Sequence, residues 1–281
     1  IATTLQQAME NWTALEPALR QLADQLDADE TLGQPIGTAD FAAPLPRAWQ
    51  WLDGSTYTSH AALMSRVFGM DPLPVDRPLM YQGVSDHFYG PHDDLAVPSE
   101  ADGIDFEGEF GIITDAVPMG ISAEDATKHI RLIVQINDWS LRVLGPIEMK
   151  TGFGWIQAKP HCSVAPFAVT PYELGAAWRD GRVALPLEVK WNGEHFGLVD
   201  GYPMAFSFGE LIAHAARTRN LVAGTVIGSG TVSNENYREV GSACIAERRG
   251  IELMDLGEVR TPFMSFGDTV EMETRTSEGG T

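Results

Sequence analysis

Three acidic residues in two apolar stretches have the types and spacing of a metal site. Glu107 and Glu109 lie in the segment IDFEGEFGII (104–113), and Asp138 ends the apolar stretch that begins at Ile130. Both stretches are predicted strands, in which residues i and i+2 point to the same face, so the two glutamates present their carboxylates side by side. Such like charges repel unless a cation or protons neutralise them. Because oxygen ligands alone suit a hard divalent ion, we predict a site for Mg²⁺, Ca²⁺ or Mn²⁺.

Three further residues are candidates for handling a substrate. Lys159 follows a Gly-rich stretch and would place a positive charge beside the metal, where an enolate or carboxylate oxygen collects negative charge. Thr231 closes Gly228-Ser-Gly-Thr, whose glycines let the backbone approach a ligand closely. Tyr89 is a candidate for the pocket wall. Each also has a structural alternative: a solvated loop lysine, a strand-end turn, or an aromatic residue that packs in the core.

The elements that must position these residues are mostly strands. Amphipathic spacing predicts one or two helices over 3–27, and helices are also predicted over 57–68, 123–129 and 208–219. Short strands separated by turns follow from Leu79 onward. Asn192-Gly193 is a strong hairpin signal, and the closing stretch 251–273 alternates like strands around Gly257. Regular βα alternation is missing, which argues against a doubly wound fold.

We therefore predict an α+β, strand-dominated fold. Residues 1–75 form a small, mainly helical N-terminal segment, and residues 76–281 form the catalytic domain.

Composition limits the function further. The formal net charge of −20 argues against a nucleic-acid-binding surface, which needs basic residues to neutralise phosphates. No apolar run approaches the roughly 20 residues that cross a bilayer. Two cysteines in 281 residues are expected to stay reduced, so we predict a cytoplasmic protein without a membrane partner.

Six motifs in a fixed order resemble those of the fumarylacetoacetate hydrolase family. They are DFEGEF (105–110), INDWSLR (136–142), QAKPHCS (157–163), GSGTVSN (228–234), GSACIAE (241–247) and FGDTV (266–270). One Glu-x-Glu is a weak signal, whereas six ordered motifs over residues 79–273 are a strong one. The resemblance implies a β-rich, mixed β-sandwich roll with a smaller N-terminal domain, usually assembled as a dimer, and we therefore expect a homodimer.

The resemblance also assigns metal ligands. It implies that Glu107, Glu109 and Asp138 bind the cation. Asp86 matches an additional ligand aspartate that precedes the Glu-x-Glu strand in the fumarylacetoacetase branch. Its alternative role is that of a turn residue before Gly90-Pro91.

The remaining catalytic roles come from the resemblance too. Lys159 and Thr231 match residues that hold the substrate and stabilise its developing charge, and Glu247 matches the glutamate that orients a water-activating histidine. In fumarylacetoacetase that histidine lies a few residues after the first metal aspartate. Counted from Asp86, His92 is one residue short of the expected offset, while His87 follows directly. We predict His92 as the general base and keep His87 as the alternative.

These residues predict a divalent-metal-dependent hydrolase that cleaves a carbon–carbon bond in a small β-diketone or 2,4-dioxo acid. Gly145-Pro146 replaces polar and aromatic substrate contacts of the family, so the metal is better supported than the substrate. One alternative is a 2-oxo acid decarboxylase or a 2-oxo-enoate hydratase or isomerase that uses the same metal site. Another is a non-catalytic protein that only binds a dicarbonyl ligand.

Overall fold

The computed structural model describes residues 1–37, 40–68 and 76–276. The N-terminal segment is helical, and shorter helices are spread through the rest of the described chain. The helices are α1 (Leu5–Glu10), α2 (Trp12–Ala28), α3 (Thr58–Phe68), α4 (Ala123–Thr127), α5 (Gly145–Met149), α6 (Pro171–Leu174), α7 (Phe208–Ala215), α8 (Tyr237–Val240) and α9 (Ile245–Leu256).

Strands form the body of the fold. They are β1 (Trp51–Gly54), β2 (Met80–Gly83), β3 (Ile104–Asp105), β4 (Gly108–Thr114), β5 (Ile130–Asn137), β6 (Ser140–Leu141), β7 (Ser163–Val164), β8 (Trp178–Arg179), β9 (Arg182–Val183), β10 (Pro186–Trp191), β11 (Glu194–Asp200), β12 (Thr225–Gly228) and β13 (Val270–Thr274). The largest sheet has six strands in the order β2-β1-β12-β4-β5-β7, and a three-stranded sheet has the order β11-β10-β13.

Both faces of the six-stranded sheet are covered, which explains why apolar residues predominate in β4 and β5 and why most of their residues are buried. On one face, Phe110 and Ile112 pack into a large core shared with the three-stranded sheet, where Leu187 and Val189 of β10 are fully buried. On the other face, Ile113 packs with residues of the N-terminal helices such as Met9 and Trp12. The predicted α+β, strand-dominated class with a helical N-terminal segment is confirmed.

Local signals predicted several elements correctly. Asn192 and Gly193 have φ angles of 52° and 79° and join β10 to β11, as expected for a tight hairpin. The side chain of Ser122 accepts a hydrogen bond from the Asp125 backbone amide and so caps α4. None of the described helices combines the length and apolar character needed to cross a membrane.

The prediction of strands over the whole of 251–273 is wrong in its first part. Helix α9 extends to Leu256 and ends at Gly257, which has a φ of 76° and donates its N–H to the Leu253 carbonyl. A glycine in this left-handed conformation is a common helix C-terminus, although in sequence it resembles a turn between strands. Strand β13, Val270–Thr274, covers only the end of this stretch.

The boundary between the N-terminal segment and the catalytic body bears on the site. The predicted division after residue 75 adjoins residues 69–75, which are outside the described part of the chain. Strand β1 pairs with β12 and β2 inside the six-stranded sheet. We therefore propose a boundary near residue 50, so that β1 and α3 belong to the catalytic body.

Candidate active site

Three carboxylates meet where the inner strands of the six-stranded sheet end on the same side. Asp53 lies near the end of β1, Glu109 lies near the start of the antiparallel β4, and Asp138 follows the end of β5. Their oxygens lie within 4.8 Å of one another, and all three side chains are buried. The register puts them on the sheet face of Trp51 and Ile113, which is the face covered by the N-terminal helices.

Backbone geometry at Gly228 and Gly230 allows this approach. A Cβ atom on Gly228 would lie 2.5 Å from Asp53 Oδ1 and 2.6 Å from Glu109 Oε2, closer than side chains tolerate. Gly230 has a φ of 80°, and its N–H donates to Glu109 Oε2 at 2.8 Å and to Asp53 Oδ1 at 3.1 Å. These glycines were expected to let the backbone approach a ligand closely. In the structure they let the backbone approach the carboxylates of Asp53 and Glu109.

The cluster holds more negative charge than its surroundings neutralise. Burial raises the pKa of both Asp53 and Glu109 well above the usual carboxyl range, and the neighbouring carboxylates raise both further. Glu109 Oε1 is buried and accepts no hydrogen bond from any described residue. Converging carboxylate oxygens with an unsatisfied acceptor fit a hard divalent cation.

Glu107 lies beside this group and is paired with two cations. Lys159 Nζ lies 2.6 Å from Glu107 Oε2 and 2.6 Å from Asp138 Oδ2, and Arg142 Nη2 donates to Glu107 Oε1 at 2.6 Å. Burial alone would raise the pKa of Glu107, but Lys159 and Arg142 hold it well below the ordinary glutamate value. Burial acts against the charge of Lys159, yet Asp138 and Glu107 outweigh it and raise its pKa.

The pairing continues to the start of α9 and forms a buried charge ladder: Asp105, Arg142, Glu107, Lys159 and Asp138. Arg142 Nε donates to Asp105 Oδ2 at 2.7 Å. The two Asp105 oxygens also accept the backbone N–H groups at 245 and 246, 2.7 and 2.9 Å away, at the N-terminus of α9. A carboxylate is favourable there because the N–H groups of the first turn lack helical partners. The ladder thereby connects α9, the helix that carries Glu247, to the carboxylate cluster.

A clamp holds the segment that delivers Lys159. The Glu148 carboxylate accepts backbone N–H bonds from Ile156, Gln157 and Ala158 at 2.9–3.2 Å. The Ala158 carbonyl in turn accepts the Leu141 N–H at 2.8 Å. The backbone that immediately precedes Lys159 is therefore held by hydrogen bonds, which limits the positions that the Lys159 side chain can reach.

A second group of polar residues adjoins the carboxylates. Glu247 is fully buried, and its Oε1 accepts the Ser233 hydroxyl at 2.5 Å and lies 3.9 Å from His60 Nδ1. His60 is also close enough to Glu107 to lower the pKa of that carboxyl. The backbone of Glu107 forms a β-bridge with Cys244, at the N-terminus of α9. Glu107 therefore separates the carboxylate cluster from a His60–Glu247 pair.

Two sequence-predicted residues lie elsewhere. Asp86, predicted as a metal ligand, is not part of the cluster: its carboxylate is 79% exposed and lies 3.0 Å from His161 Nε2. His92, predicted as the general base, is exposed on the turn that follows Gly90. Within the described residues, the histidine paired with Glu247 is His60. We therefore propose Asp53 and His60 in place of Asp86 and His92.

A sequence signal for this pair existed. His60 follows Asp53 by seven residues, whereas His92 follows Asp86 by six, one short of the expected offset. Asp53 also ends the apolar pair Trp51-Leu52, much as Asp138 ends its own strand. The segment 28–56 is rich in Gly, Pro and Asp, however, a composition that favours loop and short strand and gives no sign that this aspartate belongs to the site.

Of the other predicted residues, Thr231 borders the cluster, whereas Tyr89 lies beside His87 and His161. Thr231 is buried and directly follows Gly230, whose amide holds two of the carboxylates. Tyr89 is half-buried, and its ring lies 5.0 Å from that of His87 and 6.1 Å from that of His161. Sequence reasoning missed Tyr81, whose hydroxyl donates to Asp138 Oδ2 at 2.6 Å. The catalytic, metal and substrate roles of all these residues remain predictions.

One test concerns the charge of the carboxylate cluster. Without metal, Glu109→Gln should raise the free energy of unfolding at pH 7 by about 1 kcal/mol or more, a typical single-site effect. The neutral amide avoids the cost of either ionising or protonating this buried carboxyl, and it keeps an oxygen for the Gly230 N–H. The folded state holds protons on carboxyls whose pKa is raised, so stability falls as the pH rises above about 4.3, the unfolded glutamate pKa. Urea unfolding between pH 5 and 8 measures this slope, which the variant should flatten.

The matched control is Glu235→Gln, which changes an exposed glutamate. It should leave both the stability and the slope near wild type. A Glu109→Gln protein that is less stable than wild type at every pH would show that the carboxylates do not repel one another.

Comparison with known proteins identifies the family. The family model described as fumarylacetoacetate (FAA) hydrolase C-terminal matches residues 50–279, and the model described as fumarylacetoacetase N-terminal domain 2 matches residues 1–47. The two matches meet near the boundary that we propose from the position of β1.

Individual relatives are distant. The chain is 26% identical over 163 residues to a 2,4-didehydro-3-deoxy-L-rhamnonate hydrolase of a Sphingomonas species, which covers 57% of this chain and 54% of that protein. It is 25% identical over 223 residues to the mitochondrial oxaloacetate tautomerase of Rattus norvegicus, covering 78% of this chain and 65% of that protein. The chain thus spans less than two thirds of either curated relative.

Solved structures share the fold. The fumarylpyruvate hydrolase of Pseudomonas aeruginosa, solved in complex with Mn²⁺ and pyruvate, superposes with a TM-score of 0.60 at 16% identity, covering 87% of this chain and 91% of that one. The fold of this chain is that of the same family. Taken with the match over residues 50–279, this shows that the chain belongs to the fumarylacetoacetate hydrolase family.

Proposed function

We propose that this chain is a divalent-metal-dependent hydrolase that cleaves a carbon–carbon bond in a β-diketone or 2,4-dioxo acid. The observation that carries the proposal is the position of the His60–Glu247 pair beside a carboxylate cluster that also contacts Lys159. Hydrolysis needs a base for water and a cation for the departing enolate, and this arrangement offers both.

The residues present fit a divalent cation. Asp53, Glu109 and Asp138 would hold it, and the unpartnered Glu109 Oε1 is one of the oxygens available. When bound, such an ion would act as a Lewis acid that polarises the oxygens of the substrate. Five carboxyl groups are buried here: these three, Asp105 and Glu107. The charge ladder supplies only two positive charges, on Arg142 and Lys159. Full ionisation would therefore leave an excess of three negative charges, which a divalent ion would reduce.

The chain's own residues would divide the reaction between them. His60 takes a proton from a water molecule, whose oxygen then bonds to the substrate carbonyl carbon. Glu247 stabilises the imidazolium that results. As the carbon–carbon bond breaks, its electron pair passes to the departing fragment as an enolate. Lys159 exchanges one of its carboxylate contacts for the enolate oxygen, and the proton held by His60 returns to the enolate carbon.

A second candidate is a tautomerase or isomerase, which needs an enolate but no activated water. The similarity to the oxaloacetate tautomerase favours it. The decarboxylase and hydratase alternatives predicted from the sequence use the same carboxylates and Lys159. They differ from hydrolysis in whether the His60–Glu247 pair must deprotonate water.

An assay panel tests the proposal. Acylpyruvates, fumarylacetoacetate and oxaloacetate would be supplied with Mg²⁺ or Mn²⁺, and both cleavage products would be quantified. We expect hydrolysis of at least one 2,4-dioxo acid, lost on complete chelation and restored by metal. Undiminished cleavage by fully demetallated protein, or interconversion of oxaloacetate tautomers without any cleavage, would overturn it. Magnesium as the physiological ion, the homodimer and a cytoplasmic location remain predictions.

A further inference from the structure

A second set of potential metal ligands lies beside the carboxylate cluster. His60, Cys244 and Glu247 each offer one ligand atom, and these atoms lie within 4.8 Å of one another. Together they provide nitrogen, sulfur and oxygen, whereas Asp53, Glu109 and Asp138 provide oxygen alone. The two sets therefore differ in chemical preference as well as in position.

Two atoms of this set have no hydrogen-bond partner within the described residues. They are His60 Nδ1 and Glu247 Oε2, and both are buried. The Glu247 side chain is fully enclosed, and only its other oxygen is used, by the Ser233 hydroxyl. Buried polar atoms nearly always have partners, so a pair of unsatisfied atoms so close to a thiol calls for an explanation.

We propose that His60, Cys244 and Glu247 form a second metal site that takes a borderline-soft divalent cation such as Zn²⁺. Zinc accepts thiolate, imidazole and carboxylate together, whereas Mg²⁺ prefers oxygen. Binding replaces the S–H bond of Cys244 with a sulfur–metal bond and releases the proton to solvent. Ligands at about 2.0–2.3 Å from zinc lie about 3.3–3.8 Å apart in a tetrahedral site. The 3.9 Å from His60 Nδ1 to Glu247 Oε1 needs little adjustment.

An ion can reach this site from solvent, and its binding would affect the proposed reaction. The His60 side chain is 18% exposed, so an ion can approach from its side. An ion held there occupies both members of the pair that would activate water. The consequence, though not the binding, rests on the proposed function: zinc should inhibit hydrolysis even when Mg²⁺ saturates the carboxylate cluster.

Cobalt spectroscopy tests binding independently of activity. With Mg²⁺ in excess, Co²⁺ added to the wild-type protein should produce a near-ultraviolet thiolate-to-cobalt charge-transfer band that saturates at one equivalent. Cys244→Ser should lose the band, and its hydroxyl can still accept the Glu247 N–H that Cys244 Sγ now accepts. The control is Cys162→Ser, which removes the only other cysteine, whose Sγ donates to Asp138 Oδ1 at 3.1 Å.

The outcomes separate cleanly. A band that survives Cys162→Ser but not Cys244→Ser supports the site, whereas a band that follows Cys162, or none in the wild type, overturns it. If Cys244→Ser fails to fold, His60→Asn supplies the test through a weakened band in a protein that keeps both thiols. Cys244→Ser, which leaves the His60–Glu247 pair in place, should weaken zinc inhibition by more than the roughly 10–100-fold that loss of an outer-shell partner costs. If no substrate is found, the proposed function fails but the band still decides the site.

Discussion

Replacing His60 with alanine is expected to lower kcat/KM for hydrolysis by about 10²–10⁴-fold, the usual contribution of a general base. The reason is that the Glu247 carboxylate, 3.9 Å from His60 Nδ1, would no longer have an imidazole to orient toward water. Steady-state kinetics on the substrate found by the panel, at saturating metal, would measure the loss. Thermal unfolding with and without metal should show that the carboxylate cluster still binds its ion.

The matched control is His92→Ala, the change at the histidine that sequence reasoning chose. Its side chain is exposed, so kcat/KM should stay near wild type. Glu247→Gln should lower the rate as His60→Ala does, and the double variant should lose little more, because residues that act as a unit are not additive. If His60→Ala keeps full hydrolysis while His92→Ala abolishes it, the proposed base is wrong.

Replacing Lys159 with methionine is expected to have the largest combined effect on stability and activity. Without metal it should cost about 3–5 kcal/mol, because the ammonium group lies 2.6 Å from both Glu107 and Asp138 and its loss leaves buried charges unpaired. With metal restored, kcat should fall by about 10²–10³-fold, as for loss of one donor to an oxyanion. Urea unfolding and steady-state kinetics measure the two effects separately.

Lys150→Met is the control for this experiment, since Lys150 is exposed on the same connecting segment. It should change neither quantity appreciably. Lys159→Arg should recover part of the stability because it restores the charge, but less of the rate because a planar guanidinium cannot take the place of a compact ammonium among these oxygens. A Lys159→Met protein with wild-type turnover would remove this residue from the mechanism.

The parts of the site that lie on β4 and β5 could be predicted from local sequence. An apolar run that ends in a carboxylate is visible without any knowledge of the fold, and Glu109 and Asp138 do converge. Lys159 and Glu247 could be placed by resemblance because their motifs are uninterrupted. The tight turn at Asn192-Gly193 followed from backbone preference alone.

Asp53 and His60 could not be placed in the same way. Asp53 reaches the cluster because β1 lies parallel to β12, with Asp53 opposite Gly228, and nothing local in either segment indicates that pairing. The resemblance instead pointed to Asp86, because it matches the ligand aspartate that precedes the Glu-x-Glu strand. The start of α9 was missed for a similar reason, since Asp105 caps it from a distant strand.

The charge ladder also bears on how this protein can evolve. From Asp105 through Arg142, Glu107 and Lys159 to Asp138, each inner member contacts a neighbour of opposite sign on both sides. A neutral replacement at one position leaves the neighbouring buried charges unpaired. Selection should therefore accept changes here in compensating pairs or not at all. Descendants that acquire new substrates are therefore expected to diverge around the solvent-facing loops at 86–93 and 145–157, while the floor of the site stays as it is.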